Sequence, residues 1–224
     1  MKLAIIAATG GVGQQLLRQA LDAGHDVTAV VRNPAKLPAA PGEARIVTAD
    51  LADPEPGALE AAIAGTDAVV SGLGPASNPS AGIATRGTRA MVSAMHATGV
   101  KRLVVISAAP VGTVSSPGQP TPPKHDPGDG FFMRHLGARF ARAAFGKVYA
   151  DLAAMEDLLR DSDLDWTVIR PPKLTNKPLT GHYRTATGQN VRGGWSVPRA
   201  DVAHLMLAVL GQPGSIGQII GIAS

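Results

Sequence analysis

The sequence predicts an α/β fold, a doubly wound parallel sheet with helices on both faces and a small C-terminal elaboration. Three observations predict it. Aliphatic runs without polar interruption, such as Leu103-Val104-Val105-Ile106, alternate with segments of helical periodicity, the pattern of parallel strands covered on both faces. The first run, Leu3-Ala4-Ile5-Ile6-Ala7-Ala8, breaks at Gly10-Gly11-Val12-Gly13 straight into a helix. A length of 224 residues with 45% apolar content suffices for one well-buried core and is short for two, so residues 1–224 are expected to form a single domain.

The elements follow in order. Residues 12–23 place Leu16, Leu17, Ala20 and Leu21 on one helical face, with Gly24 as the stop. A second strand covers 26–32 and a third 44–48, leading into Asp50-Leu51. A short helix over 58–64 stops at Gly65, and a fourth strand over 67–71 closes at Gly72-Leu73-Gly74-Pro75. Residues 83–98 carry Ile83, Met91, Val92 and Met95 at helical spacing and end at Gly99. The fifth strand is 102–107. The rhythm then breaks at Pro110: as far as Gly130 the chain is rich in Pro, Gly, Ser and Thr, which predicts a mobile lid or a disordered insertion. It resumes with a helix over 147–161 that turns Leu152, Met155, Leu158 and Leu159 inward, and a strand over 166–170 backed by Pro171-Pro172. A short strand around 182–187, a helix over 199–210 and a last strand over 216–222 complete the chain.

Composition excludes several classes of function. With no cysteine there are no disulfides, no thiol catalysis and no cysteine-ligated metal, in keeping with a reducing cytoplasm. No stretch approaches the roughly 20 apolar residues of a membrane span, and the opening apolar run lacks a cleavage site, so a cytoplasmic protein is expected. Lys and Arg total 21 against 17 Asp and Glu, a net charge of +4. Without a clustered patch that is too little to predict nucleic acid as a partner. No metal site is expected.

The glycine turn carries the first functional signal. Where a strand turns sharply into a helix, unpaired backbone N–H groups and the positive helix end face the turn, and glycine lets that backbone approach an anion closely. Thr9, Gly10, Gly11, Val12 and Gly13 are therefore candidate ligands of a dinucleotide's diphosphate, although a G-x-x-G-x-x-G spacing would also want glycine where Ala7 stands. The residue ending the second strand decides between cofactors. A carboxylate there accepts from a ribose 2′-hydroxyl, whereas an arginine grips a 2′-phosphate. This chain has Arg32, with Asn33 beside it and Lys36 a turn further on, which predicts NADP(H). Asp50 is placed to accept from the adenine amino group with Leu51 alongside, and Gly72, Leu73 and Gly74 to border the ribose and diphosphate. Capping and turn geometry would account for Asp50 and these glycines as well.

With these residues placed, the chain resembles the atypical short-chain dehydrogenase/reductases, and among them the biliverdin IXβ reductase/flavin reductase-like and NmrA-like proteins. The likeness runs through Ala8-Thr9-Gly10-Gly11-Val12-Gly13, Val30-Val31-Arg32, Ala49-Asp50-Leu51, Leu73-Gly74 and Gly99-Val100. It continues through Asp165-Trp166-Thr167-Val168-Ile169-Arg170-Pro171-Pro172, Lys177-Pro178-Leu179-Thr180-Gly181 and Asp201-Val202-Ala203. The resemblance implies a Rossmann-type domain with NADP(H) across the carboxyl ends of the strands and the nicotinamide beside Ser107, Ala108 and Pro171. The departures are informative. Conventional members donate a proton from a tyrosine with a lysine four residues on; here Tyr149 and Tyr183 are followed at that spacing by Ala153 and Thr187. The second of two successive hydroxyl residues in the flavin-reductase-like pattern is Ala108, and Glu156, read as helix surface, stands for that branch's histidine. Ser107 remains the one candidate catalytic residue. It either orients the nicotinamide amide or an acceptor carbonyl, or bonds its own backbone.

Without an acid to protonate an alkoxide, a conjugated small-molecule acceptor such as a flavin, quinone or linear tetrapyrrole suits the site better than a ketone. The alternative is a non-catalytic NADP(H) sensor of the NmrA-like kind. All four phenylalanines, Phe131, Phe132, Phe140 and Phe145, fall within an insertion at about 110–146. A helix there would set Phe132, Met133, Leu136, Phe140 and Ala144 opposite Arg134, Arg139 and Arg142. Three readings stay open: a lid or wall near the active site, with His125 and His135 as proton relays; a face buried on the domain; or a contact with a protein partner or membrane surface. The protein is expected to be a monomer or dimer.

Overall fold

The computed structural model describes residues 1–37, 44–129 and 138–224, without the side chains of 138–144. Its strands are β1 (Lys2–Ile6), β2 (Asp26–Val31), β3 (Arg45–Thr48), β4 (Ala68–Ser71), β5 (Arg102–Ile106), β6 (Asp165–Arg170), β7 (Lys173–Thr175), β8 (Arg184–Thr187), β9 (Ser196–Pro198) and β10 (Gln218–Ala223). The helices are α1 (Gly11–Asp22), α2 (Ala58–Ile63), α3 (Ile83–Thr98), α4 (Ala138–Arg160) and α5 (Arg199–Ala208). Eight strands form one sheet in the order β3-β2-β1-β4-β5-β6-β10-β8. Every pair is parallel except β10–β8, and β7 with β9 makes a separate two-stranded parallel sheet.

The alternation of side chains along each strand divides the core. Ala4 and Ile6 of β1, Val69 of β4, and Leu103 and Val105 of β5 pack toward α2, α3 and α4. Leu3 and Ile5, Ala68 and Val70, and Val104 and Ile106 pack on the other face toward α1 and α5. Such double coverage is what uninterrupted aliphatic runs require. Chain order reverses between β1 and β4, on either side of which the sheet grows in opposite directions. In doubly wound sheets that switch point opens a crevice at the strands' carboxyl ends.

Two buried carboxylates fix elements that the hydrophobic pattern alone would leave loose. The start of α3 follows Gly82, whose φ of +96° leaves no capping side chain. Asp151 of α4 caps it instead, accepting from Ala84 N and Thr85 N at 3.0 Å and from Thr85 Oγ1 at 2.6 Å. Asp201, fully buried in the first turn of α5, accepts from Thr180 N at 2.8 Å, Gly181 N at 3.0 Å and Thr180 Oγ1 at 2.6 Å. The Pro-Leu-Thr-Gly and Asp-Val-Ala motifs are thus two halves of one contact.

Several sequence expectations need correction. The helix expected from residue 147 starts at Ala138 and is broken at Phe145 (φ −131°, ψ 25°), so the expected start lies just after a kink. The sheet is not purely parallel, because β8 returns antiparallel along β10. The pair β7 and β9, three residues each, had no periodicity to reveal it. Residues 110–129 begin with a 3₁₀ turn at Ala109–Thr113, and carboxylates anchor them at Gly118 and at Asp126–Gly128. Gly118 N donates to Asp157 Oδ2 at 2.8 Å, while Asp126 Oδ1 accepts from Gly128 N at 2.9 Å and from Asn190 N at 2.8 Å. Of the aromatic insertion, Phe131, Phe132, Met133, Arg134, His135 and Leu136 lie outside the described residues, as do the side chains of Phe140, Arg139, Arg142 and Ala144. Phe145 is exposed and meets Tyr149 edge-on, with ring centroids 6.2 Å apart.

Candidate active site

A cavity of about 410 Å³ opens at the switch point, over the carboxyl ends of β1 to β4. Of the residues singled out from sequence, Thr9, Gly10, Arg32, Asp50, Leu51, Gly72, Leu73 and Gly74 line it. Ala7, Val30, Ala49, Ala52, Ala76, Ser80, Ile83 and Arg86 complete the wall.

The glycine turn is built around a strained residue. Ala7 has φ +58°, the left-handed region that costs an L-residue roughly 1–2 kcal/mol, and its carbonyl accepts from Gly10 N at 2.9 Å. A Cβ on Gly13 would lie 2.1 Å from that same carbonyl oxygen, and one on Gly72 would lie 3.0 Å from Gly13 N. Gly13 is therefore required by the seating of α1 against the end of β1. Gly10 differs: its φ of −72° suits any residue, and an added Cβ would sit 3.3 Å from Ala7 O, near the cavity. Val12 is core. Gly11 faces Arg199, whose Nε would lie 2.7 Å from a Cβ there, and Arg199 Nη1 donates to Asn176 Oδ1 at 2.7 Å.

At the mouth of the cavity Arg32 is exposed and makes no ion pair among the described residues. Asn33 instead caps the following turn, accepting from Ala35 N at 3.0 Å, and is not part of the wall; neither is Lys36. Asp50 combines both sequence readings, since Oδ1 accepts from Ala52 N at 3.0 Å while the residue lines the cavity. A Cβ on Gly74 would meet only open space.

The ends of β5 and β6 are organised in the opposite way. Ser107 N donates to Ile169 O at 2.7 Å and Ala109 N to Pro171 O at 2.9 Å, so Ser107, Ala108 and Pro171 extend the strand pairing away from the cavity. The Ser107 hydroxyl does not bond its own backbone. It donates to Glu156 Oε1 at 2.7 Å. Glu156 is not helix surface but 1% exposed, between Arg170, which donates from Nε at 2.9 Å and from Nη2, and Arg160, whose Nη2 lies 3.0 Å away. Arg160 Nη1 also reaches Asp157 Oδ1 at 2.7 Å. The signal for this network was present as Glu156 and Arg160 one turn apart with Arg170 at a strand end, but only the fold brings the three together.

Neither tyrosine lines the cavity. Burial pushes both phenols above their ordinary value, helped at Tyr183 by the nearby Asp201 carboxylate, and Tyr183 bonds His204 Nδ1 at 2.7 Å. His125 is exposed. Among the described residues no group of His, Asp and Glu could hold a metal ion, and no helix is long and apolar enough to cross a membrane.

Fold and glycine turn together define a dinucleotide-binding protein of the atypical short-chain dehydrogenase/reductase class. Residues 7–213 match the NAD(P)H-binding family, and the chain belongs to it. Similar solved structures include a Bacillus halodurans protein provisionally named as an NAD-dependent epimerase/dehydratase, at 25% identity and TM-score 0.75, covering 100% of this chain and 94% of that one. A short-chain dehydrogenase/reductase from Veillonella parvula in complex with NADP shares 17% identity at TM-score 0.78, over 100% and 94% of the two chains. An anaerobillin reductase from Escherichia coli O157:H7 shares 23% identity at TM-score 0.75, over 100% and 97%.

Proposed function

We propose that this protein is an NADPH-dependent oxidoreductase that passes hydride to a conjugated acceptor such as a flavin, a quinone or a linear tetrapyrrole. The observation that carries the reading is the hydrogen bond from the Ser107 hydroxyl to Glu156. Glu156, held between two guanidiniums, is a carboxylate that only accepts, so the hydroxyl proton is committed to it and Ser107 presents lone pairs rather than an acid. Reduction of a simple ketone needs a proton or a strong donor at the nascent oxygen. Neither Ser107 nor a tyrosine supplies one here. A conjugated acceptor spreads the incoming charge and takes its proton from water.

The lining of the cavity suits the nucleotide's adenosine end in chemistry. Gly10 and Gly72 leave backbone free of Cβ atoms beside it, Arg32 offers a 2′-phosphate a guanidinium with no ion pair among the described residues, and Asp50 an acceptor for the adenine amine. The bound dinucleotide supplies the hydride, and this chain's residues position it. Ser107, with its proton directed at Glu156, would have lone pairs left to accept an N–H from the nicotinamide carboxamide. Family membership and the likeness to a protein named as an anaerobillin reductase support this reading.

Oxidation of NADPH, followed at 340 nm with FMN, FAD, quinones and biliverdin as acceptors and simple ketones as controls, tests it. Turnover with conjugated acceptors and none with ketones is expected. NADPH binding without any turnover would overturn the enzymatic reading in favour of a sensor whose partner affinity follows cofactor occupancy.

A further inference from the structure

We propose that Arg86 is a second determinant of cofactor choice, sharing the 2′-phosphate of NADP(H) with Arg32; this rests on the reading of the cavity as the seat of that dinucleotide's adenosine end. Sequence offers Lys36 as the natural second cation, one turn beyond Arg32, yet Lys36 is not in the wall of the cavity and Arg86 is. The two arginines reach it from different elements, Arg32 from the end of β2 and Arg86 from the first turns of α3.

Arg86 is exposed, so water can solvate it, and three features suit its position to an anion. Long side chains on a helix point back toward its N-terminus, and Arg86 does so: its Nη1 would lie 2.7 Å from a Cβ on Gly82, the residue preceding α3. A guanidinium is thereby held at the positive end of a helix, where cations are disfavoured, with no acidic residue in the first turn. Among the described residues Arg86 has no ion pair, and Asp151, which caps the same helix end, spends its oxygens on Ala84 and Thr85. Lastly, two guanidiniums and the single carboxylate of Asp50 line one cavity, an excess of positive charge that a dianionic phosphate would neutralise.

Packing places Arg86 at the adenosine end. The next residue, Gly87, is buried, and a Cβ there would lie 2.4 Å from Leu73 Cδ2 and 3.3 Å from Leu51 Cβ. That turn of α3 packs closely on Leu51 and Leu73, the residues following β3 and β4, and Arg86 lines the same cavity as Asp50 and Leu51.

The test compares 2′,5′-ADP with 5′-AMP by isothermal titration calorimetry on the wild-type protein, Arg86→Gln and Arg86→Lys. Loss of a charge-assisted contact predicts that Arg86→Gln weakens 2′,5′-ADP about tenfold or more while 5′-AMP stays within about twofold. Arg86→Lys, which retains the charge, should recover most of the discrimination and serves as the decisive variant if Arg86→Gln does not fold. Equal weakening of both nucleotides, no change in either, or a lysine variant as poor as glutamine would overturn the assignment. Wild-type protein that binds neither 2′,5′-ADP nor NADPH overturns the cavity reading itself, whereas wild-type binding with an indifferent Arg86→Gln overturns the role of Arg86 alone.

Discussion

The two ends of the carboxyl edge of the sheet treat charge in opposite ways. Over β1 to β4, Arg32 and Arg86 face an open cavity without ion-pair partners among the described residues. Beyond β5 and β6, Glu156, Arg170, Arg160 and Asp157 are paired with one another, and Ser107 is drawn into the set. Unpaired charge at a surface is inexpensive because water screens it, and it remains available to a ligand. Buried charge persists only when paired and hydrogen-bonded. The first region leaves its cations available to a ligand, and the second holds its own groups still.

The comparison breaks most readily at Glu156. Removing it by Glu156→Ala leaves Arg170, 6% exposed, without its carboxylate, and the loss of one partner from a buried pair destabilises by about 3–5 kcal/mol. Urea unfolding should show a drop of that order, with the slope unchanged. A variant within about 1 kcal/mol of wild type would mean that the network is dispensable, and the contrast between the two ends would collapse. At the open end the effect should fall on binding instead of folding. Arg32→Asp should weaken NADPH by about 2–3 kcal/mol and move preference toward NADH, with unfolding free energy nearly unchanged because the side chain is exposed and unpaired. Calorimetric titration with both cofactors decides it. Equal affinities before and after the change would remove Arg32 from the site.

Sequence made the open end legible because its parts lie at strand ends that the sequence locates: Gly10, Arg32 and Gly72 follow the buried runs of β1, β2 and β4, Asp50 follows the largely exposed β3, and each lines the cavity or its turn. The helix over 83–98 was legible to the residue, bounded by two glycines in the left-handed conformation. The closed end was not. Glu156 and Arg170 stand on different elements, and although helical spacing puts Glu156 on the same buried face as Leu152, Met155 and Leu159, it does not say which cation meets it there. Asp201 and Thr180 were each visible in a motif, but their hydrogen bonds cross between elements and have no period. Arg86 was missed for a related reason: on an amphipathic helix an arginine reads as solvated, and only the pose of α3 on Leu51 and Leu73 turns it into the cavity wall.

The smallest expected effect sharpens the comparison at the turn itself. Ala7 sits at φ +58°, where a G-x-x-G-x-x-G pattern would have glycine, so the open end carries backbone strain as well as unpaired charge. Relieving a left-handed alanine recovers roughly 1–2 kcal/mol, while glycine returns about 0.5–1 kcal/mol through the greater freedom of the unfolded chain. Ala7→Gly should therefore stabilise by up to about 1 kcal/mol, seen as a small rise in Tm. Because the carbonyl of Ala7, which accepts from Gly10 N, belongs to the backbone, NADPH affinity should stay within about twofold. A destabilised variant would show that the methyl group contributes more by packing than the left-handed conformation costs. The glycine turn would then be a tightly fitted joint like the one at Glu156, and the two ends would differ less than their charges suggest.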